Sequence, residues 1–358
     1  MELHEKLSLA LRHCDYPPLP TPSAYRHIGT GAWHNAYLVQ PLAGKPLVVR
    51  LRKSVIYGRK EEWNPTALHA DYAPVGLYYQ AANRCRPGVC PAVYHYCVER
   101  DLVFTLESYV GGRPLLLAEL SSSDALAIGV TLGEFFQALH ACAAPLPGSG
   151  LLTWGVQGVC AALPDTWAEL WQRRAAAVEQ QVATLSGATL GLARATLQRQ
   201  AREAVTGVQE EPAVLALVNR DVTPENLLAQ GAAWVGLVDP VPLQESSTYY
   251  AAFFLHCYRL ALLALSQAPR YVRHRFHMHH TTLAALAEGY EIGYAQGRQA
   301  VQRRLRMGEW LWALDFAAES YTLLQGGLTA AMQLRRGDEA TVTRILARCL
   351  RALTELRW

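Results

Sequence analysis

Strand-like and helix-like patterns are segregated along this chain, and that order limits its fold more than any single motif. Short alternating or apolar segments fill roughly the first 110 residues: YRHIGTGAWHNAYLVQ, PLVVRLR, PAVYHYCVE and LVFTLESYV. Glycines, prolines or charged pairs separate them, and one helix is expected around 67–84. An amphipathic helix and a proline-rich link, YPPLPTP, precede the first strand. After residue 121 helical spacing takes over. SSSDALAIGVTLGEFFQALHAC places a Ser/Asp start signal before apolar residues at helical intervals. Two more helices are expected in 163–207 with Ser186-Gly187 between them, and short strands flank loops in 213–240. From 246 onwards the pattern is helical. No internal repeat is visible. Strands in one block and helices in another predict an α+β protein of two lobes, and 358 residues suffice for both.

A net charge of +3 is too small to imply a nucleic-acid partner. The eight cysteines are dispersed, unlike a disulfide scaffold. Cys85, Cys90 and Cys97 with His95 form the one local cluster. Their spacing is wider than paired zinc ligands favour, so they read as buried thiols. The N-terminus carries acids and no long apolar core, unlike a signal peptide. The longest apolar run, Tyr249 to Leu265, contains His256 and Arg259 and reads as a buried helix rather than a membrane span. The expectation is a cytoplasmic protein without membrane or nucleic-acid partners; nothing in the sequence sets its oligomeric state.

The chemistry begins at residues 217–228, LVNRDVTPENLL. Asp221 and Asn226 are five apart, and Asp239 closes the apolar segment VGLVD thirteen residues later. Phosphoryl transfer asks a protein to orient a hydroxyl and to supply hard oxygen ligands for Mg²⁺, and a D-x4-N…D order provides both. An Asx turn at Pro224 would give the same local string. Gly29-Thr30-Gly31 lies between two strands, where glycines let backbone N–H groups approach phosphates; a plain hairpin turn looks alike. Arg50, in LVVRLR, sits where a phosphate-binding cation or a surface strand arginine could stand.

Taken in order, these motifs resemble the aminoglycoside phosphotransferase / choline kinase superfamily, small-molecule kinases with a protein-kinase-like fold. The resemblance covers about residues 25–265. It implies ATP and Mg²⁺ as cofactors and a small molecule with a hydroxyl group as acceptor. Asp221 would be the catalytic base, and Asn226 and Asp239 the metal ligands. Gly29, Thr30 and Gly31 would form the nucleotide loop, although His34 occupies the place of the third glycine. Arg50 would stand for the phosphate-binding lysine, with Asp71 preferred over Glu61 or Glu62 as its acidic partner. Backbone groups near Glu107–Val110, Tyr109 included, would hold the adenine at a hinge. Residues 1–108 would form the small lobe and 109–358 the large one, with a helical insert at 141–212 walling the acceptor pocket together with the region after 265.

Several positions depart from the family pattern. Asn219 replaces a histidine, and Ala251 and Ala252 stand where an acid usually supports the large lobe. Pro240-Val241 after Asp239, the lack of an Ala-Pro-Glu segment and Thr223 in place of lysine point away from protein substrates. A working small-molecule kinase is therefore expected. The alternatives are a nucleotide-binding pseudokinase or regulatory protein, or a kinase acting on a protein. Acids at Asp165, Glu169, Glu179, Glu203, Glu210 and Glu211 are mixed with arginines in the insert, and a pI near 8.4 does not favour a polycationic acceptor. RYVRHRFHMHH, 270–280, reads either as a solvated basic helix face or as a site for an anionic acceptor. Trp310, Trp312, Phe316 and Tyr321 read as helix packing.

Overall fold

The computed structural model describes residues 2–21, 23–56, 59–187, 193–210 and 214–358. The small lobe is a five-stranded antiparallel sheet built from β1 (Tyr25–Thr30), β2 (His34–Val39), β3 (Leu47–Arg52), β4 (Tyr94–Glu99) and β5 (Leu102–Ser108), in the order β1-β2-β3-β5-β4. The glycine turn splits the first alternating segment in two, so 25–52 makes three strands.

Alternation decides what each face of this sheet does. Leu47, Val49 and Leu51 on β3 point to one side with Tyr37, Val39, Phe104 and Leu106, and α1 (Leu3–His13) covers them with Leu7, Ala10 and Leu11. Burial of each such side chain contributes about 2 kcal/mol, and Phe104→Ala would cost about 3–5 kcal/mol. The opposite face is polar. Arg50 pairs in register with Ala36 and Thr105, Arg52 with His34, and Glu107 with Val48 and Tyr94. A shift of one residue would exchange these two faces. Helix α2 (Pro65–Cys85), capped by the Asn64 side chain on the Ala67 N–H at 3.0 Å, packs beneath the polar face.

The large lobe is mostly helical, and 55% of the structure is helix. Helix α3 (Ser122–His140) starts at Ser121, whose hydroxyl accepts from the Asp124 N–H at 3.1 Å. It crosses α7 (His280–Ala295) at backbone contact. A Cβ on Gly133 would lie 2.3 Å from the Tyr290 carbonyl, and one on Gly293 would lie 2.1 Å from that of Val130. Larger residues there would force the helices apart. Helix α6 (Ser247–His256) meets α8 (Gln299–Gly326) in the same way, since a Cβ on Gly308 would come 2.6 Å from Ala252 Cβ. Ala251 and Ala252 are fully buried, so the usual acid has no room at this crossing. The apolar stretch Ser247–Gln267 is long enough to cross a bilayer by length and composition, but 72% of its 18-residue apolar window is buried within the protein. Its Arg259 is paired with Glu291 at 2.6 Å and Glu309 at 2.9 Å.

Two expectations need correction. The insert at 141–212 does not begin as helix: β6 (Ser149–Gly155) and β7 (Gly158–Leu163) form a hairpin that joins β11 (Pro242–Ser246) and β8 (Leu215–Asn219) in the order β7-β6-β11-β8. Gly148, Gly150 and Gly158, all at positive φ, bend the chain there. Helices α4 (Trp167–Ser186) and α5 (Arg194–Gln209) follow as expected; Glu211 lies outside the described residues. The basic segment is not a helix face either. It makes two 3₁₀ turns, Val272–His274 and Phe276–His279, around Arg275 in the left-handed region, and α7 starts only at His280. The sulfur atoms of Cys85 and Cys97 have separate surroundings. Cys85 Sγ lies 4.0 Å from Cys142 Sγ, while Cys97 is on the α1 side of the sheet beside His13 and Glu99. Trp310 is fully buried and Trp312 stacks on Tyr249 with centroids 4.5 Å apart, so this aromatic set is packing.

Candidate active site

Strand β8 delivers Asn219 into a loop, a 3₁₀ turn at Pro224–Asn226 ends the loop, and β9 (Leu227–Gln230) and β10 (Ala233–Leu237) lead to Asp239. Asn219 is the organiser. Only 4% exposed, its Oδ1 accepts from the N–H of Asp221 at 3.0 Å and of Val241 at 2.8 Å, and its Nδ2 donates to the Asp221 carbonyl at 3.3 Å. One neutral side chain thus ties the loop to the segment after Asp239. Asn226 adds a second tie. Its Nδ2 donates to the carbonyls of Asp221 at 3.3 Å and Asp239 at 3.5 Å, which leaves Oδ1 as the open end of the amide.

The two acids differ. Asp221 is mostly buried, and burial first and the Asp239 charge second raise its carboxyl above the usual range, against a 3.2 Å hydrogen bond from Thr223 Oγ1. Such a carboxylate is a better proton acceptor than a solvated one. Asp239 has a 46% exposed side chain and stands at φ 51°, a left-handed conformation that costs a non-glycine residue about 1–2 kcal/mol. The Tyr79 hydroxyl accepts its N–H at 3.3 Å and helps to hold it there.

Across the cleft, Arg50 bonds Asp239 through Nη1, and its Nε lies 3.4 Å from Glu107 Oε1. Burial disfavours the guanidinium charge, but Asp239 and Glu107 more than offset this and raise the Arg50 pKa. The expected partner, Asp71, is elsewhere. It accepts from Arg52 at 3.2 Å, and Arg52 is also held by both oxygens of Glu61 and by the Tyr72 hydroxyl at 3.1 Å. Asp71 sits near the start of α2, level with Arg52 rather than Arg50. His34, in place of the third glycine, bonds the Tyr72 hydroxyl at 2.8 Å. Burial is the main cause that lowers its pKa to about 4, with Arg50 and Arg52 adding to it and Asp239 opposing.

The glycine turn lies between β1 and β2, closed by the Gly31 N–H on the His34 carbonyl at 2.9 Å. Gly29 and Gly31 do not have positive φ, and a Cβ on Gly29 would meet nothing within 4 Å. On Gly31 it would meet only the His34 carbonyl oxygen, at 3.8 Å. Thr30 points back into the turn, bonding His27 at 2.9 Å and Asn35 at 3.1 Å. At the hinge, the N–H groups of Ser108 and Tyr109 are already taken by the carbonyls of Val93 and Pro46, and the Glu107 side chain turns inward to Arg50. Of the backbone donors expected there, these two are not free.

Some residues of the site carry no signal in the sequence. Tyr79 has no motif to mark it, and Thr223, noted only as a departure, shows its bond to Asp221 once the loop is folded. The basic segment proves to lie against the catalytic loop, where Arg273 at 3.1 Å and His274 at 3.4 Å engage Glu225, between Asp221 and Asn226. Arg270 is near enough to act on the Asp221 charge. A cavity of about 480 Å³ between α5 and α8, lined by Arg202, Glu203, Gly207 and Met307 among others, contains none of these residues.

The profile of the phosphotransferase enzyme family matches residues 24–243, more than half of the chain. No curated protein sequence matches it. Among solved structures, a candidate aminoglycoside phosphotransferase from Ralstonia eutropha aligns with a TM-score of 0.56 at 14% identity, covering 99% of each chain. A macrolide 2'-phosphotransferase from Brachybacterium faecium aligns with a TM-score of 0.50 at 16% identity, covering 96% of this chain and 98% of the other. At such identities the likeness is one of fold, two lobes included. The family match makes this chain a member of the phosphotransferase enzyme family.

Proposed function

We propose that the protein transfers the terminal phosphoryl group of ATP to a hydroxyl of a small molecule, with the lobes dividing at 108/109. The observation that carries this reading is the joint placement of Asp221, Asn226 and Asp239 by one neutral hydrogen-bond frame centred on Asn219. Asp221, buried and raised in pKa, accepts the proton of the attacking hydroxyl. Asn226 Oδ1 and the Asp239 carboxylate form an all-oxygen donor set that suits Mg²⁺. When bound, the ion neutralises charge on the phosphates. The open space over Gly29 and Gly31 suits close approach of a phosphate chain. Arg50, held and charged between Glu107 and Asp239, is the cation that would meet the phosphates.

The reading of a nucleotide-binding protein without turnover rests on three departures. Asn219 makes three bonds to the loop frame, Arg50 keeps its charge, and the helix crossing at Gly308 fills the place of the missing acid. All three favour turnover. On the acceptor side, Arg174 pairs with Glu245 and Arg336 with Glu319, while the Gln181 amide bonds Asp315 at 2.6 Å. The exposed Arg220 and Arg270 beside Asp221 have no acid within ion-pair distance among the described residues. That imbalance favours an acceptor that carries an anionic group as well as its hydroxyl. The test is ATP consumption with Mg²⁺ over hydroxyl compounds that are anionic, neutral or polycationic. Wild type should turn over an anionic member. Asp221→Asn should lower turnover by about 10²–10⁴-fold and leave nucleotide binding intact. Full turnover by Asp221→Asn would sink the mechanism.

A further inference from the structure

A phosphate-binding cation on β3 needs an acid to hold it, and protein kinases take that acid from the helix beneath the sheet. Here that helix is α2, and its acid is engaged elsewhere. Asp71 and the preceding Glu61 both bind Arg52, whose Nε, Nη1 and Nη2 are all occupied. Arg50 lies two residues away on the same face of the same strand and has no partner on α2.

We infer that Glu107 is the positioning residue for Arg50, a strand-borne acid in the place of the helix acid. This rests on the nucleotide-site reading above. Glu107 is 3% exposed, and its own orientation is fixed within its strand, where Thr105 Oγ1 donates to Glu107 Oε1 at 3.2 Å. Tyr79 of α2 is near enough to favour the Glu107 charge, and its hydroxyl accepts the Asp239 N–H, so one tyrosine neighbours both acids that flank Arg50. The two acids around Arg50 are not equivalent. Asp239 has a half-open side chain and is free to turn to another partner, whereas Glu107 is enclosed and stays. Because β3 and β5 are hydrogen-bonded neighbours, with Arg50 opposite Thr105 and Val48 opposite Glu107, the sheet itself sets the distance between cation and acid. The cation is therefore placed without any movement of α2, and α2 contributes a neutral tyrosine where a kinase helix contributes charge.

The experiment compares the full-length wild type with Glu107→Gln, Asp71→Asn, Arg50→Ala and the Arg50→Ala/Glu107→Gln double variant. The readouts are the dissociation constant of a non-hydrolysable ATP analogue, with and without Mg²⁺, and the separate KM values for ATP and acceptor. Glu107→Gln should weaken nucleotide binding about 10- to 100-fold and raise the KM for ATP, with the acceptor KM little changed. Asp71→Asn should shift binding less than about threefold. On the Arg50→Ala background, Glu107→Gln should add nothing, since it acts through the arginine. If Glu107→Gln does not fold, Thr105→Val, which removes one bond to Glu107 and keeps every charge, should still weaken nucleotide binding about fivefold. Three results would overturn the inference: near-wild-type binding by the folded Glu107→Gln or, in its place, by Thr105→Val; a larger effect of Asp71→Asn; or full additivity in the double variant. A wild type that binds no nucleotide would instead remove the nucleotide site itself.

Discussion

The loop around Asp221 and the sheet around Arg50 face each other across one cleft and are held in opposite ways. The loop is framed mainly by neutral bonds, with one exposed charged contact at its rim, Glu225 to Arg273 and His274. The amides of Asn219 and Asn226 reach backbone groups of Asp221, Asp239 and Val241, and the Tyr258 hydroxyl holds the Val222 carbonyl at 2.8 Å. The sheet side is fixed by charge. Arg50 sits between Glu107 and Asp239, and Arg52 between Glu61 and Asp71. Neutral frames are insensitive to pH and salt, and they hold one geometry. Charged clusters can exchange partners when another ion enters, which suits a surface that receives a polyanion. The two sides therefore divide the work. The loop keeps a base in place, and the sheet adapts to what binds.

Asn219→Ala tests the neutral side and should have the largest effect on stability of any change at the cleft. It leaves the N–H groups of Asp221 and Val241 without their acceptor in a partly buried loop. The expected loss is about 2–4 kcal/mol in denaturant unfolding, the same at low and high salt. A loss that shrinks strongly with added salt would show that charge holds this loop too.

The same contrast explains what the sequence could reveal. Asp221, Asn226 and Asp239 lie within one short stretch, and their partners, Asn219 and Val241, are in it as well. Spacing made that half of the candidate site visible, and the family resemblance supplied the roles it implies. Arg50 and Asp239 are 189 residues apart, and the choice between Asp71 and Glu107 as partner depends on strand register and on where α2 begins. Arg50 and Arg52 look alike in LVVRLR, and their partners separate only once β3 is paired with β5. The fold was legible where periodicity was long, as in α3, α4 and α5. The β6–β7 hairpin was missed because its two short strands lie between helices, and its glycines resemble those of a linker.

His34 probes the charged side. Burial and the nearby Arg50 and Arg52 hold its folded pKa at about 4, below the ordinary histidine value of 6.5, with Asp239 and Glu61 acting against them. The folded state therefore binds fewer protons than the unfolded chain between these values. Its contribution is complete above about pH 6.5 and is lost as pH falls towards 4, by at most about 3 kcal/mol. Asp221, Glu107 and Asp71, all raised, act in the opposite direction, so the informative quantity is a difference. Wild type minus His34→Gln, measured by unfolding from pH 7.5 to about pH 4.5, should slope downward as acid is added. A flat difference would mean that His34 is not enclosed by the cluster.

Gly29→Ala and Gly31→Ala should change stability least of all, and for that reason they divide folding from binding most cleanly. Neither position has positive φ. A Cβ on Gly29 would meet no atom of the chain within 4 Å, and one on Gly31 only a carbonyl oxygen at ordinary contact distance. Alanine also narrows the unfolded ensemble, so unfolding free energy should stay level or rise by about 0.4–1 kcal/mol. The fold itself therefore does not require glycine here. If the open space receives phosphates, the added methyl group must weaken nucleotide binding while the melting temperature holds, and the acceptor KM should not follow. If binding also stays level, the turn is only a hairpin, and the adaptable side of the cleft begins at Arg50 rather than at the glycines.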